Sequence, residues 1–180
     1  ASDVYKRQSL RAALRHHTRD AHDRLDGLMS QLDLAQHNQR MLFSDIQMRG
    51  FARLAELISG DTAEATSLIN RMTDTAGSGR KATNDPALSD ALDADAVAYV
   101  ALGSQLGLTV LRRNLPEDER TGIFEHEPDV GAWKDFAARI STVPGDTDQA
   151  QRTINDARRA FDIFHTAAQE ALDPLSEKIL

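Results

Sequence analysis

An all-α, single-domain fold of six to seven helices is what this chain predicts, and three observations lead there. Leu, Ala, Arg and Asp are abundant while aromatic residues make up only 5% of the 180 residues, a usage that favours helices because straight-chain side chains lose little rotamer freedom in them. Apolar residues recur at spacings of three, four and seven rather than two. The length suits one domain with one core, since domains typically run to about 100–200 residues.

The opening ASDVYKRQ has no periodicity and is expected to be a tail or a remnant foreign to the fold, leaving 9–180 as the domain. Ser9 is placed to cap a first helix reaching about Ser30, with Leu10, Leu14, Ala21, Leu25 and Leu28 inward. A second helix begins near Gln36, carries Met41, Leu42, Ile46, Phe51, Leu54, Leu57 and Ile58, and stops at Gly60. A shorter one, TAEATSLINRM, precedes the loop-like TDTAGSGRKATNDP. After Asp93 a long helix runs through ADAVAYVALGSQLGLTVLRRNL to Pro116. GAWKDFAARI forms another, with Trp133 and Phe136 at core spacing. The last covers roughly Thr147 to Leu172 with Ile154, Ala157, Phe161, Phe164 and Ala168 inward. No strand is expected.

Charge and composition remove several classes of function. With 21 basic against 28 acidic residues the net charge is −7, which argues against a nucleic-acid binder, because such proteins neutralise phosphates with Lys and Arg. The absence of cysteine removes disulfides, iron–sulfur clusters and thiolate ligation. No apolar run of about 20 residues and no signal-peptide pattern are evident, so no membrane partner and a cytoplasmic location are expected.

Two stretches carry chemistry. In TRDAHDRLDGLM, at about 100° per residue, the apolar stripe of the first helix occupies an arc roughly 60° wide, and His22 lies roughly 60° beyond Leu25. Arg15 and then Arg19 follow further round. An apolar face, an imidazole and a cationic edge in that order suit a flat apolar ligand that needs a nitrogen ligand at its centre and cations for rim carboxylates. The same order also describes a border histidine beside snorkelling arginines. A phosphotransfer histidine is a further alternative, opposed by Asp23 and Asp26, whose carboxylates repel an incoming phosphoryl group. On the same helix His17 is expected toward the core and His16 away from it. Glu125, His126 and Glu127 are consecutive before Pro128 and read as a solvated loop, not as the Glu-x-x-His of a helical di-iron site.

The second stretch is YVALGSQLGLTVLRR. Tyr99, Gly103 and Gly107 are four apart and share a face, with Ser104 beside them. Each interior glycine costs about 1 kcal/mol relative to alanine, so the pair needs a reason. Close approach of another helix is one, and close approach of a flat ligand is the other. In the second case the Ser104 hydroxyl is available to water or a bound diatomic molecule.

Taken together, LRHHTRDAHDRLD and YVALGSQLG resemble the haem oxygenase family, in its bacterial biliverdin-producing branch, with weaker likeness in WKDFAARI and DARRAFDIF. The resemblance runs from Ser9 to the last helix. It implies that haem (heme, iron protoporphyrin IX) is both substrate and cofactor, that His22 is the iron ligand, and that Gly103, Ser104 and Gly107 lie on the helix across the ring. It implies carboxylate contacts from Arg15, Arg19 and Lys134, with Tyr99 and Phe161 at the pocket. It further implies O2 as co-substrate, electrons from a ferredoxin or reductase, and biliverdin, carbon monoxide and ferrous iron as products. Two departures from the family pattern stand out: Leu108 replaces a commonly small residue and is expected to narrow the pocket or alter the helix bend, and Ser104 stands where animal enzymes have Asp. A carrier or sensor of haem without turnover is the alternative of a different class.

Overall fold

The computed structural model describes residues 8–59, 67, 69–70 and 91–176. Among them are six α-helices: α1 (Leu10–His17), α2 (Arg19–Met29), α3 (His37–Leu57), α4 (Ala94–Arg113), α5 (Val130–Ile140) and α6 (Asp148–Ser176). The chain is mostly helical, as composition and periodicity predict. TAEATSLINRM lies largely outside the described residues, and TDTAGSGRKATNDP wholly so.

α6 is the organising element, because α2, α3 and α4 all pack on it. Its predicted inward stripe is buried throughout: Ile154, Ala157, Phe161, Phe164 and Ala168. Thr147 caps it, its Oγ1 accepting from Ala150 N at 3.0 Å. α4 begins at Asp93, whose carboxylate accepts from Asp95 N and Ala96 N at 3.0 and 3.1 Å. The same carboxylate accepts from Thr153 Oγ1 of α6 at 3.1 Å, so one side chain caps a helix and fixes its position on another. α1 is tied at its start to the α5–α6 connection by Leu10 N to Val143 O (2.8 Å) and Gly145 N to Gln8 O (2.7 Å). Gln8, placed in the tail on sequence grounds, thus already touches the fold.

Four expectations are corrected. The first helix is divided at Thr18, a buried residue whose Oγ1 donates to Leu14 O at 2.8 Å. Such back-bonding loosens the helical ladder locally. His17 is exposed rather than turned to the core, and its carbonyl accepts from Arg158 Nε at 2.8 Å. Met41 is likewise exposed, while Phe43 beside it is buried and stacks on Phe124 at 5.5 Å. Finally, Ile58–Ser59 (β1) pairs in parallel with Leu92–Asp93 (β2), two residues each, too short to leave a period-two signature.

Arg40 of α3 is a buried cation with no counterpart in the sequence reading. Its side chain is 4% exposed; Nη1 donates to Leu34 O (2.8 Å) and Ala35 O (3.1 Å) and lies 3.0 Å from Glu119 Oε2. Nε is buried without a partner. The guanidinium thereby pins the turn before α3 to the 3-10 turn Glu117–Glu119. Removing it leaves two carbonyls without their donor, so Arg40→Ala is expected to lower unfolding free energy by about 3 kcal/mol, read from urea denaturation. A loss below about 1 kcal/mol would show that the clamp is replaced by water.

α4 passes the length and composition test for a membrane-crossing helix, contrary to the expectation that no segment approaches it, but a core helix passes the same test. One side of α4 is core: Val97, Ala101, Leu102, Gln105 and Leu108 are buried. The other side is partly uncovered.

Candidate functional site

The first group of candidate residues gathers where α1 and α2 cross α6. Two contacts hold these helices there, Arg158 Nε to His17 O and Arg24 Nη2 to Asp162 Oδ1 at 3.3 Å. His22 leaves α2 on the exposed side, and its side chain is 54% exposed. Its ring stands edge-on to buried Phe161, with centroids 5.8 Å apart and planes at 77°. Nδ1 lies 3.4 Å from Asp26 Oδ2 and 3.6 Å from Asp23 Oδ1, and Nε2 has no polar partner among the described residues.

This arrangement has a chemical consequence. A carboxylate beside one ring nitrogen favours the N–H on that side and leaves the lone pair on the other, which is how metal-binding imidazoles are commonly oriented. Sequence reading missed this role for Asp23 and Asp26, counting them only as repulsive to phosphate. The i, i+4 spacing from His22 to Asp26 is the signal that places them on one face. Arg15 and Arg19 are exposed, and neither makes an ion pair among the described residues.

The second group lies on α4 and α5. Tyr99 and Trp133 are half-buried, with ring centroids 5.8 Å apart and planes at 56°. Gly103 faces that indole: a Cβ there would stand 3.4 Å from Trp133 Cζ3. Around Gly107 the space is open, with nothing within 4 Å of such a Cβ. Gly103 thus has a close neighbour from another helix, whereas the backbone at Gly107 faces open space.

Ser104 Oγ donates to Ala101 O at 2.7 Å and accepts from Gln105 Nε2 at 3.4 Å. Its proton is thus held by its own helix, and what the hydroxyl retains for a ligand is acceptor capacity. Leu108 is buried in the core, about 100° round α4 from Gly107. Of the two effects expected of it, it does not narrow the glycine face. Lys134 is exposed on α5, one residue beyond Trp133, with no ion pair among the described residues.

The structure joins His22 to Phe161, and it joins Gly103 and Tyr99 to Trp133. No hydrogen bond, ion pair or ring contact links the two groups among the described residues. α2 and α4 both lean on α6, which is what relates one group to the other. A separate open groove of about 560 Å³ lies between α3 and α6, lined by Arg49, Arg53, Leu57, Arg159, Asp162 and Ile163 among others. It contains none of the candidates, and its arginines are paired with Asp45, Glu56 and Asp156 on their own helices. Glu125, His126 and Glu127 are exposed before α5, and no three metal-ligating side chains converge among the described residues.

Compared with protein-family models, curated proteins and solved structures, the chain matches none. What can be said of its chemistry therefore rests on the residues themselves. Two local features bear on whether a haem could be held here, and no contact among the described residues brings them to one cavity. One imidazole nitrogen is without a polar partner among the described residues while the other lies 3.4 Å from Asp26 Oδ2, and open backbone is present at Gly107, Gly103 being covered by Trp133.

Proposed function

We propose that the protein binds haem as its substrate through His22 and cleaves the ring oxidatively to biliverdin, carbon monoxide and ferrous iron, using O2 and electrons from a separate ferredoxin or reductase. The observation that carries this reading is the state of His22: Nδ1 toward Asp26 and Asp23, the ring edge on Phe161, and Nε2 open. The iron and oxygen chemistry belongs to the haem. The chain's part is to hold and orient it.

Within this reading each residue has a distinct task. Asp26, 3.4 Å from Nδ1, orients the imidazole as a ligand. Phe161 keeps the ring from turning. Gly107 lets a macrocycle approach helix backbone, and Tyr99 with Trp133, which lies over Gly103, closes one end of that face. Arg15, Arg19 and Lys134 meet the carboxylates, which matters in a chain of net charge −7 because the general field repels an anion. Ser104 Oγ accepts a hydrogen bond from water and keeps it near the ring.

The test is to add ferric haem to the purified protein, supply reductant in air with catalase present, and follow the visible spectrum. Loss of the Soret band with growth of biliverdin absorption is the expected result. A Soret band that forms and then persists under reductant identifies a carrier or sensor, a second reading favoured by the Ser104 proton being held by Ala101 O and by Trp133 covering Gly103. No Soret shift on mixing removes both. A phosphotransfer role is disfavoured by the two carboxylates within 4 Å of Nδ1.

The basic edge gives a prediction of its own. Changing Arg15 and Arg19 together to Glu is expected to weaken haem binding at least tenfold in a spectroscopic titration, through lost carboxylate contacts and added repulsion. The same double change at Arg49 and Arg53, exposed on α3, is expected to shift affinity less than threefold. Equal losses in both pairs would reduce the effect to net charge.

A further inference from the structure

One residue divides α1 from α2. Thr18 has φ −100° and ψ −3°, away from the helical values of about −63° and −42°. Leu14 O accepts from it twice, from the backbone N at 2.9 Å and from Oγ1 at 2.8 Å. The hydroxyl is thus committed to the end of α1. A threonine at a helix start ordinarily accepts from an N–H two or three residues on, yet Thr18 makes no such side-chain bond to α2. It is 2% exposed, so water does not compete for the hydroxyl. Packing alone is met by valine, which has nearly the same shape and no buried hydroxyl to satisfy.

His22 hangs on this break. Its backbone N donates to Thr18 O at 2.9 Å, closing the first turn of α2. Three contacts from α6 fix where that turn points: Arg158 Nε donates to His17 O at 2.8 Å, Phe161 meets the His22 ring, and Asp162 Oδ1 accepts from Arg24 Nη2 at 3.3 Å. Phe161 and Asp162 are three and four residues beyond Arg158, so all three share one face of α6. α1 is held separately, by Leu10 N on Val143 O and by packing on α5 as well as α6. In an unbroken helix the direction of α1 dictates that of α2. The break frees α2 to follow α6. Arg15 stands before it and Arg19 and His22 after it, so the break also sets how Arg15 is offset from the imidazole.

We infer that Thr18 is a positioning residue for His22: by bonding back to Leu14 O, its hydroxyl holds the break that brings the imidazole edge-on to Phe161 and sets its offset from Arg15. Arg158 completes the break by taking the carbonyl beside it. The inference rests on the reading of His22 as the iron ligand and adds to it the residue that aims that ligand.

The experiment reads the His22 ring protons by NMR in the full chain without haem, and haem affinity by the Soret shift, in the parent and in Thr18→Val, Thr18→Ser and Arg158→Gln. His22→Ala identifies the signal among the six histidines, and Phe161→Leu measures the part of its chemical shift that the phenyl ring supplies. Thr18→Val keeps the volume and drops the hydroxyl; it is expected to lose most of that part of the shift and to weaken haem about tenfold. Thr18→Ser keeps the hydroxyl and is expected to retain both. Arg158→Gln, exposed on α6, is expected to fold as the parent does by circular dichroism and to move the signal in the same direction as Thr18→Val. If Thr18→Val leaves signal and affinity unchanged, or if Thr18→Ser disturbs them more than Thr18→Val does, Thr18 acts through packing alone and the inference is overturned, while the parent's Soret shift leaves the haem reading intact. Should Thr18→Val fail to fold, Arg158→Gln decides, and an unmoved signal there overturns the inference. A parent that gives no Soret shift overturns both.

Discussion

His22→Ala is expected to abolish axial ligation of ferric haem, leaving a weak, broad Soret band in place of the sharp one formed by the parent chain. The effect is large because a lost metal ligand is not replaced by its neighbours. His16 is on α1, beyond the Thr18 division, and His17 on the same helix carries a different task through its carbonyl. Folding is little affected, since the imidazole is 54% exposed and surface substitutions typically fall within about 0.5 kcal/mol. Added imidazole is expected to restore the sharp band in His22→Ala, because the space the ring leaves opens to solvent. Asp26→Asn tests the orienting carboxylate. It is expected to lower haem affinity about tenfold without changing the band's position, as loss of an outer-shell partner does. His16→Ala and His17→Ala serve as controls with parent spectra. An unchanged Soret band in His22→Ala would remove the residue as ligand and return it to a border position on α2.

How much of this was legible before any coordinates depends on the kind of residue. The inward stripe of α6 was readable because its five members are apolar and repeat at helical spacing, and all five are buried. The start of α1 was readable from Ser9, since capping is a local bond between residues three apart, and the pattern bounded α4 near Asp93 and α6 near Thr147, whose capping bonds the structure adds. Thr18 was not, because a threonine inside an apolar pattern looks neutral until its hydroxyl is seen on Leu14 O. Arg40 was not, because arginine is almost never buried without partners, and those partners are carbonyls and a glutamate distant in sequence. Burial that depends on a partner 79 residues away leaves no local trace.

The candidate site divides in the same way. The face shared by Tyr99, Gly103 and Gly107 follows from spacing alone. That Trp133 fills the space over Gly103 and leaves Gly107 open depends on where α5 begins relative to α4, a matter of tertiary packing. The apolar stripe predicted Phe161 as inward, but not that its ring would support His22. Leu108 shows the converse. Beside Gly107 in sequence it suggested an obstruction, yet consecutive helical residues point about 100° apart, and it lies in the core.

Two glycine substitutions test the packing that holds α6, and with it Phe161, in place. Gly50 of α3 is buried against Phe164, and a Cβ built there overlaps the ring at Cδ1 and Cε1. That ring has little freedom to retreat: Phe164 is 2% exposed and stands edge-on to the fully buried Phe51, 5.2 Å away. Helix propensity alone favours Gly50→Ala by about 1 kcal/mol, but overpacking a core costs about 1–3 kcal/mol and more when the neighbour is pinned. The expected outcome is a net loss of about 2–3 kcal/mol and a Tm lower by roughly 5–10 °C for a chain of this size. Gly27→Ala is the matched control. It lies on exposed α2 with nothing within 4 Å of the added methyl, so propensity acts alone and stability rises by about 1 kcal/mol. The same chemical change thus takes opposite signs at two helical positions. Phe164→Leu added to Gly50→Ala is expected to recover part of the loss, a coupling that a double-mutant cycle measures. Additive effects in that cycle would mean that α3 and α6 separate to admit the methyl. Such a separation would also shift Phe161, three residues before Phe164, and would register as a weaker Soret band in Gly50→Ala at temperatures where the chain is still folded.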